Sequence, residues 1–130
     1  MNVPNELKYT QNDEWIKMED GTGTIGITDH AQEQLSDIVF VEILVTEGDT
    51  IHQGDSIATV ESVKAAADVY APVGGTVVAV NEELANAPET LNSSPYDTAW
   101  MIKVEVKDLG ELDKLMDAGG YTNKIQEKEG

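Results

Sequence analysis

Apolar and polar positions alternate in short runs along most of the chain, and turn residues interrupt them every few positions. A period of two is the mark of a half-buried strand. Trp15-Ile16-Lys17-Met18 alternates and ends at Glu19-Asp20-Gly21, and Thr24-Ile25-Gly26-Ile27 resumes as a second strand. Asp29 with Gln32 three positions on has the form of a capping box, which predicts a short helix closing near Leu35. Ile38 to Val45 is the most apolar run and is expected to be a central strand. Two similar turns follow, Glu47-Gly48-Asp49 and Gln53-Gly54-Asp55, and then Ser56 to Val60 as a strand.

Val69-Tyr70 leads into Ala71-Pro72-Val73-Gly74-Gly75, a turn signal, and Thr76 to Val80 is the next strand. From Trp100 to Val106 the pattern puts Trp100, Ile102, Val104 and Val106 on one face and Met101, Lys103 and Glu105 on the other. Asp108 with Glu111 predicts a further helix start, with Leu112, Leu115 and Met116 as its apolar stripe. Gly119-Gly120 is expected to break that helix and leave 121–130 as a polar, frayed helical tail. Many short strands with helices at the margins predict a mainly β protein, a flattened barrel or sandwich with short peripheral helices and a C-terminal helical segment over 108–130. The twin turns hint at two interlocked halves. With no linker or low-complexity stretch, 1–130 is expected to be a single domain.

Composition narrows the chemistry. The chain of 130 residues has no cysteine, which excludes disulfides, thiolate metal sites and cysteine nucleophiles. Eight Lys and Arg against 25 Asp and Glu give a net charge of −17, which repels nucleic-acid phosphates and suits partners with basic docking surfaces. Residues 1–7 lack the basic head and apolar core of a signal peptide, and no apolar run approaches a membrane span. A cytoplasmic location, without membrane or nucleic-acid partners, is the expectation. His30 and His52 lack a third ligand at a sensible spacing, so no metal site is expected and both are read as surface residues. Trp15 and Trp100 are read as core or cleft-lining aromatics.

The informative stretch runs from Thr59 to Gly75. Lys64 lies between two β-type runs and is the only lysine or arginine between Lys17 and Lys103. At a hairpin tip its ammonium would point away from the sheet, and Ala65, Ala66 and Ala67 would leave it open to a modifying enzyme.

Glu61-Ser62-Val63-Lys64-Ala65, followed by Asp68-Val69-Tyr70-Ala71-Pro72-Val73-Gly74-Gly75, resembles the lipoylation site of glycine cleavage H proteins. The resemblance extends through Leu7-Lys8-Tyr9-Thr10, Glu14-Trp15, Gly26 to Gln32, Asp37 to Glu42, Val80-Asn81, Asn92 to Tyr96 and Trp100 to Lys103. Biotin domains carry methionine on both sides of their lysine, where this chain has Val63 and Ala65. Lipoyl domains of 2-oxoacid dehydrogenases place aspartate where Val63 stands. The chain also departs from the H-protein pattern. Asp13 replaces a usual histidine and Ser36 a common glycine, the segment 43–46 lacks a proline, and 97–99 lacks glycines.

The resemblance implies the lipoyl/biotinyl-like hammerhead fold and lipoate in amide linkage on Lys64, in a carrier that is not itself an enzyme. Its implied partners are glycine decarboxylase (P protein), aminomethyltransferase (T protein), dihydrolipoyl dehydrogenase (L protein), and a lipoate ligase or lipoyl/octanoyl transferase that could read Glu61. Glu14 and Asp68, with Asn12 as a polar neighbour, are candidates to hold the cationic aminomethyl group carried on the arm. The competing readings are a lipoate donor or relay, a hydrolytic subunit, for which no nucleophile–base set is present, and an unmodified binding module.

Overall fold

The computed structural model describes residues 2–129, with side chains described through Gln126. Among the described residues nine strands form two antiparallel sheets. They are β1 (Lys8–Tyr9), β2 (Glu14–Glu19), β3 (Thr22–Ile27), β4 (Ile38–Ile43), β5 (Thr50–Ile51), β6 (Ser56–Ser62), β7 (Ala66–Tyr70), β8 (Gly75–Val80) and β9 (Ile102–Val106). The larger sheet has the order β1-β2-β3-β9-β8-β5 and the smaller β4-β6-β7. The expected sandwich is therefore present, and it is not a closed barrel. The helices of the described residues complete it: α1 (Asp29–Leu35), α2 (Thr90–Ser93) and α3 (Ala118–Glu129), with 3-10 turns at Glu82–Asn86 and Leu109–Lys114.

The core follows from strand alternation. Ile16, Ile25 and Ile102 face one another across β2, β3 and β9, and all three are fully buried. From the smaller sheet Val41, Ile57, Val60 and Val69 enter the same cluster. Burial of each such side chain is worth about 1.5–3 kcal/mol against exposure. A second cluster joins Leu7, Tyr9 and Trp15 to Ala118, Tyr121 and Ile125 of α3. Trp15 lies over Gly26 of the facing strand, where a Cβ would stand 2.8 Å from the indole ring.

Several sequence expectations change. Ile38–Val45 is not central: β4 is an edge strand of the smaller sheet, β6 lies at its middle, and Val39 and Phe40 are exposed beside a bulge. Apolarity alone did not separate a buried strand from an edge strand with an apolar outer face. Met101 is fully buried rather than outward-facing, because it precedes the regular strand and its N–H bonds Ile25 O. His30 is buried, not on the surface, whereas His52 is exposed. Thr28, not Asp29, caps α1 by accepting from the Ala31 N–H, while Asp29 accepts from the Gln32 side chain one step later.

The C-terminal segment differs most. Asp108 caps only the 3-10 turn Leu109–Lys114. Gly119 and Gly120 do not break a helix; they form the first turn of α3, where the Asp117 side chain accepts from the Gly120 N–H. Tyr121 and Ile125, one helical turn apart, are both buried, so the expected tail is packed as far as Ile125; the side chains from 127 on and residue 130 lie outside the described part. The two turns of similar sequence do share a conformation. Asp49 accepts from Thr46 N and Asp55 from His52 N, with Gly48 and Gly54 at φ of 95° and 92°.

Candidate functional site

β6 and β7 form a hairpin in register Glu61↔Ala66, Val60↔Ala67 and Thr59↔Asp68, with Lys64 at its tip. The tip is closed by Ser62. Its N–H bonds Ala65 O at 2.8 Å, and its hydroxyl oxygen accepts from the N–H groups of Lys64 and Ala65 at 3.2 and 3.0 Å. The Val63 N–H donates to Asp37 O at 3.0 Å, which ties the tip to the loop after α1. Four backbone N–H groups, two bonded to carbonyls and two to the Ser62 hydroxyl, thus fix the turn while leaving side chains outward: Val63, Lys64, Ala65 and Ala66 are all exposed. Among the described residues nothing pairs with the Lys64 ammonium. Ser62 was not anticipated as a site residue, although a serine two positions before a turn residue is a recognisable turn-forming signal.

Beside the hairpin a cleft of about 180 Å³ opens between β7, α1 and the turn before β2. Asn12, Glu14 and Asp68, singled out from sequence positions far apart, all line it. Its apolar wall is Ile27, Leu35 and Val60. Asp68 lies four residues past Lys64 on an extended strand, roughly 13 Å along the chain.

Glu14 is nearly inaccessible at 1% exposure. One carboxylate oxygen accepts from the Thr10 hydroxyl at 2.5 Å and the other from the Tyr70 N–H at 3.0 Å, so it bridges β2 to β7. Burial raises its pKa above the ordinary carboxyl value, and the Asp13 charge pushes the same way; Thr10, Tyr70 N–H and Lys124 oppose. A carboxyl poised in this way gains most from a cation brought against it. Asp68 and Asn12 are exposed, with the Tyr70 hydroxyl 3.5 Å from Asp68.

Glu61 is not part of this cleft. It is exposed on the outer face of the hairpin with Thr59 and Ala66, and Asp68 borders both that face and the cleft. A hollow of about 580 Å³ between β4 and the 3-10 turn at Glu82–Asn86 contains none of the candidate site residues. Among the described residues no three His, Asp or Glu are grouped to hold a metal ion, and no helix is long and apolar enough to cross a membrane.

Two antiparallel sheets with an exposed lysine on a hairpin tip place the chain in the class of lipoyl-domain folds. The family model for the glycine cleavage H-protein matches residues 7–128. A glycine cleavage system H protein from Pseudoalteromonas atlantica is 51% identical over 128 residues, covering 98% of each chain. One from Staphylococcus epidermidis is 48% identical over 127 residues, covering 98% of this chain and all of that relative. The crystal structure of a glycine cleavage system H protein from Mycobacterium marinum superposes with a TM-score of 0.87 at 34% identity, over 95% of this chain and 99% of that one. The chain belongs to the glycine cleavage H-protein family. Membership supports a lipoyl-carrier role within the glycine cleavage system.

Proposed function

We propose that the chain, as one unit over 1–130, carries lipoate on Lys64 and serves the glycine cleavage system as its mobile, non-catalytic component in the cytoplasm. The observation that carries this reading is the Lys64 ammonium, exposed and unpaired among the described residues on a turn held by four bonded backbone N–H groups. The residues fit the group. The lysine nitrogen is open to acylation, its neighbours are small or apolar, and a cleft with an apolar wall and a buried carboxyl lies within about 13 Å of chain. When bound, the lipoyl group supplies a disulfide–dithiol pair that can accept an aminomethyl group and two electrons.

This chain's own residues do the rest. The Lys64 nitrogen forms the amide and gives up its charge. Ser62 keeps the tip rigid, so that the arm projects into a partner's active site and is held there at high local concentration. Glu14, with Asp68 and Asn12 on the cleft lip, holds the cationic amine by charge-assisted hydrogen bonds, and Ile27, Leu35 and Val60 limit water around it. The partners on this reading are the pyridoxal-phosphate glycine decarboxylase that loads the arm, the tetrahydrofolate aminomethyltransferase that unloads it, and the dihydrolipoyl dehydrogenase that reoxidises it. A lipoate ligase or lipoyl/octanoyl transferase installs the group and contacts Glu61.

The test is reconstitution with glycine decarboxylase. Glycine-dependent exchange of labelled bicarbonate should appear with the lipoylated chain and vanish with Lys64→Arg. Equal exchange with both proteins would overturn the reading.

A further inference from the structure

The cleft lip does not stand alone. The turn Thr10–Asp13 that carries Asn12 is unusual: Asp13 has φ of 68°, a left-handed conformation that costs energy for any residue but glycine. Contacts from Thr28 and from α3 join the turn's own hydrogen bonds to Thr10 in holding it there. The Asp13 carbonyl accepts from the Thr28 N–H at 3.0 Å. The Asp13 carboxylate accepts from the Tyr121 hydroxyl at 2.9 Å, while that hydroxyl also lies 2.7 Å from the Thr28 hydroxyl. Lys124, one turn further along α3, donates to Gln11 O at 2.6 Å and stands 3.8 Å from the Asp13 carboxylate. Lys124 and Asp13 are only 22% and 23% exposed, so water screens this contact incompletely.

We propose that Tyr121 and Lys124 are positioning residues for the cleft: the C-terminal helix latches the Gln11–Asp13 turn, so that it sets both the place of Glu14 and how long a cationic arm stays docked against it. The proposal rests on the carrier reading for its second clause and on geometry alone for its first.

The groups facing Glu14 come from every side. Asp13 is beside it, Tyr70 and Asp68 come from β7, and Lys124 from α3; Tyr9 and Lys114 border the hollow on its other flank. α1 contributes only Ala31, Gln34 and Leu35 to the cleft, none of which titrates. Lys124 is the nearby cation that favours ionised Glu14, and Asp13 is the anion that opposes it. Pairing Lys124 with Asp13 ties the two influences together, so release of the latch moves the turn and the field at once. Burial keeps the Tyr121 phenol neutral far above neutral pH, so its hydroxyl remains a donor to Asp13.

The test uses the full-length lipoylated chain with Lys124→Gln, Lys124→Arg and Tyr121→Phe. Carboxyl-labelled NMR would follow the Glu14 titration, and amide hydrogen exchange would follow Thr28 and Tyr70. Lys124→Gln, which keeps a donor for Gln11 O but removes the charge, should move the Glu14 titration upward, and Lys124→Arg should restore it. Tyr121→Phe, which keeps the ring, should speed exchange at Thr28 about tenfold, the size of losing roughly one good hydrogen bond. Spontaneous loss of the aminomethyl group from the loaded arm should rise about threefold in Lys124→Gln, as for a partly screened charge contact. Glu14 titration and Thr28 exchange unchanged in Lys124→Gln and Tyr121→Phe would overturn the latch, whatever their melting temperatures. If Glu14→Gln itself left release unchanged, the arm-docking reading would fail, while the NMR data would still decide the latch.

Discussion

Tyr121→Ala is the sharpest perturbation of the fold. Tyr121 is fully buried, its ring stacks on Tyr9 with centroids 4.6 Å apart and planes 6° from parallel, and its hydroxyl contacts both Thr28 and Asp13. Removing a buried aromatic side chain costs about 3–5 kcal/mol, because the lost burial is joined by a cavity. Tyr121→Phe removes only the hydroxyl and should cost about 1–2 kcal/mol, the net worth of its hydrogen bonds. A domain of this size is stable by about 5–15 kcal/mol, so the alanine change consumes a large share and the phenylalanine change a small one. Urea denaturation followed by tryptophan fluorescence reads both, since Trp15 belongs to the same cluster as Tyr121 and Trp100 packs against it. If Tyr121→Ala cost less than about 1 kcal/mol, the value typical of an exposed position, α3 would not be packed on the body and the reasoning would be refuted.

Two further outcomes follow from the site and its support. The folded carboxyl of Glu14 titrates above its ordinary value, so the folded protein keeps that proton over a range in which the unfolded chain has released it. Its contribution to stability is therefore fullest below the ordinary carboxyl pKa and is lost as pH rises through the folded value; stability of the parent minus that of Glu14→Gln, measured from pH 4 to 8, should fall with pH, and a flat difference would contradict it. Gly26→Ala would push a methyl to within 2.8 Å of the Trp15 ring and should cost about 1–3 kcal/mol by overpacking, read as a lower urea midpoint with unchanged slope.

Much of this was visible in the residues, and for identifiable reasons. Period-two alternation located β2, β3 and β9, because one face of each is in the shared core, and an apolar run after a turn signal located β8. Lys64 stood out because no other lysine or arginine occurs between Lys17 and Lys103. Glu14, Asp68 and Asn12 came from resemblance and turned out to share a cleft, though spacing alone could not bring positions 12, 14 and 68 together. The misjudged parts depended on tertiary partners. Ile38–Ile43 is apolar yet marginal, since β6 is the one strand that pairs with it among the described residues. The α3 segment looks polar and glycine-broken, but two side chains one turn apart, Tyr121 and Ile125, suffice to fasten it to Tyr9 and Trp15. Lys124 went unnoticed because its role depends on the carbonyl of Gln11, 113 positions away in sequence.

The carrier account stands most directly on one bond, the amide at Lys64. Intact mass followed by peptide mapping across Lys64, on protein taken from cells with active lipoylation, measures it. The account predicts a lipoyl-sized gain confined to the Lys64 peptide and absent from Lys64→Arg. An unmodified Lys64 in such cells, or the same gain on another lysine, would contradict it.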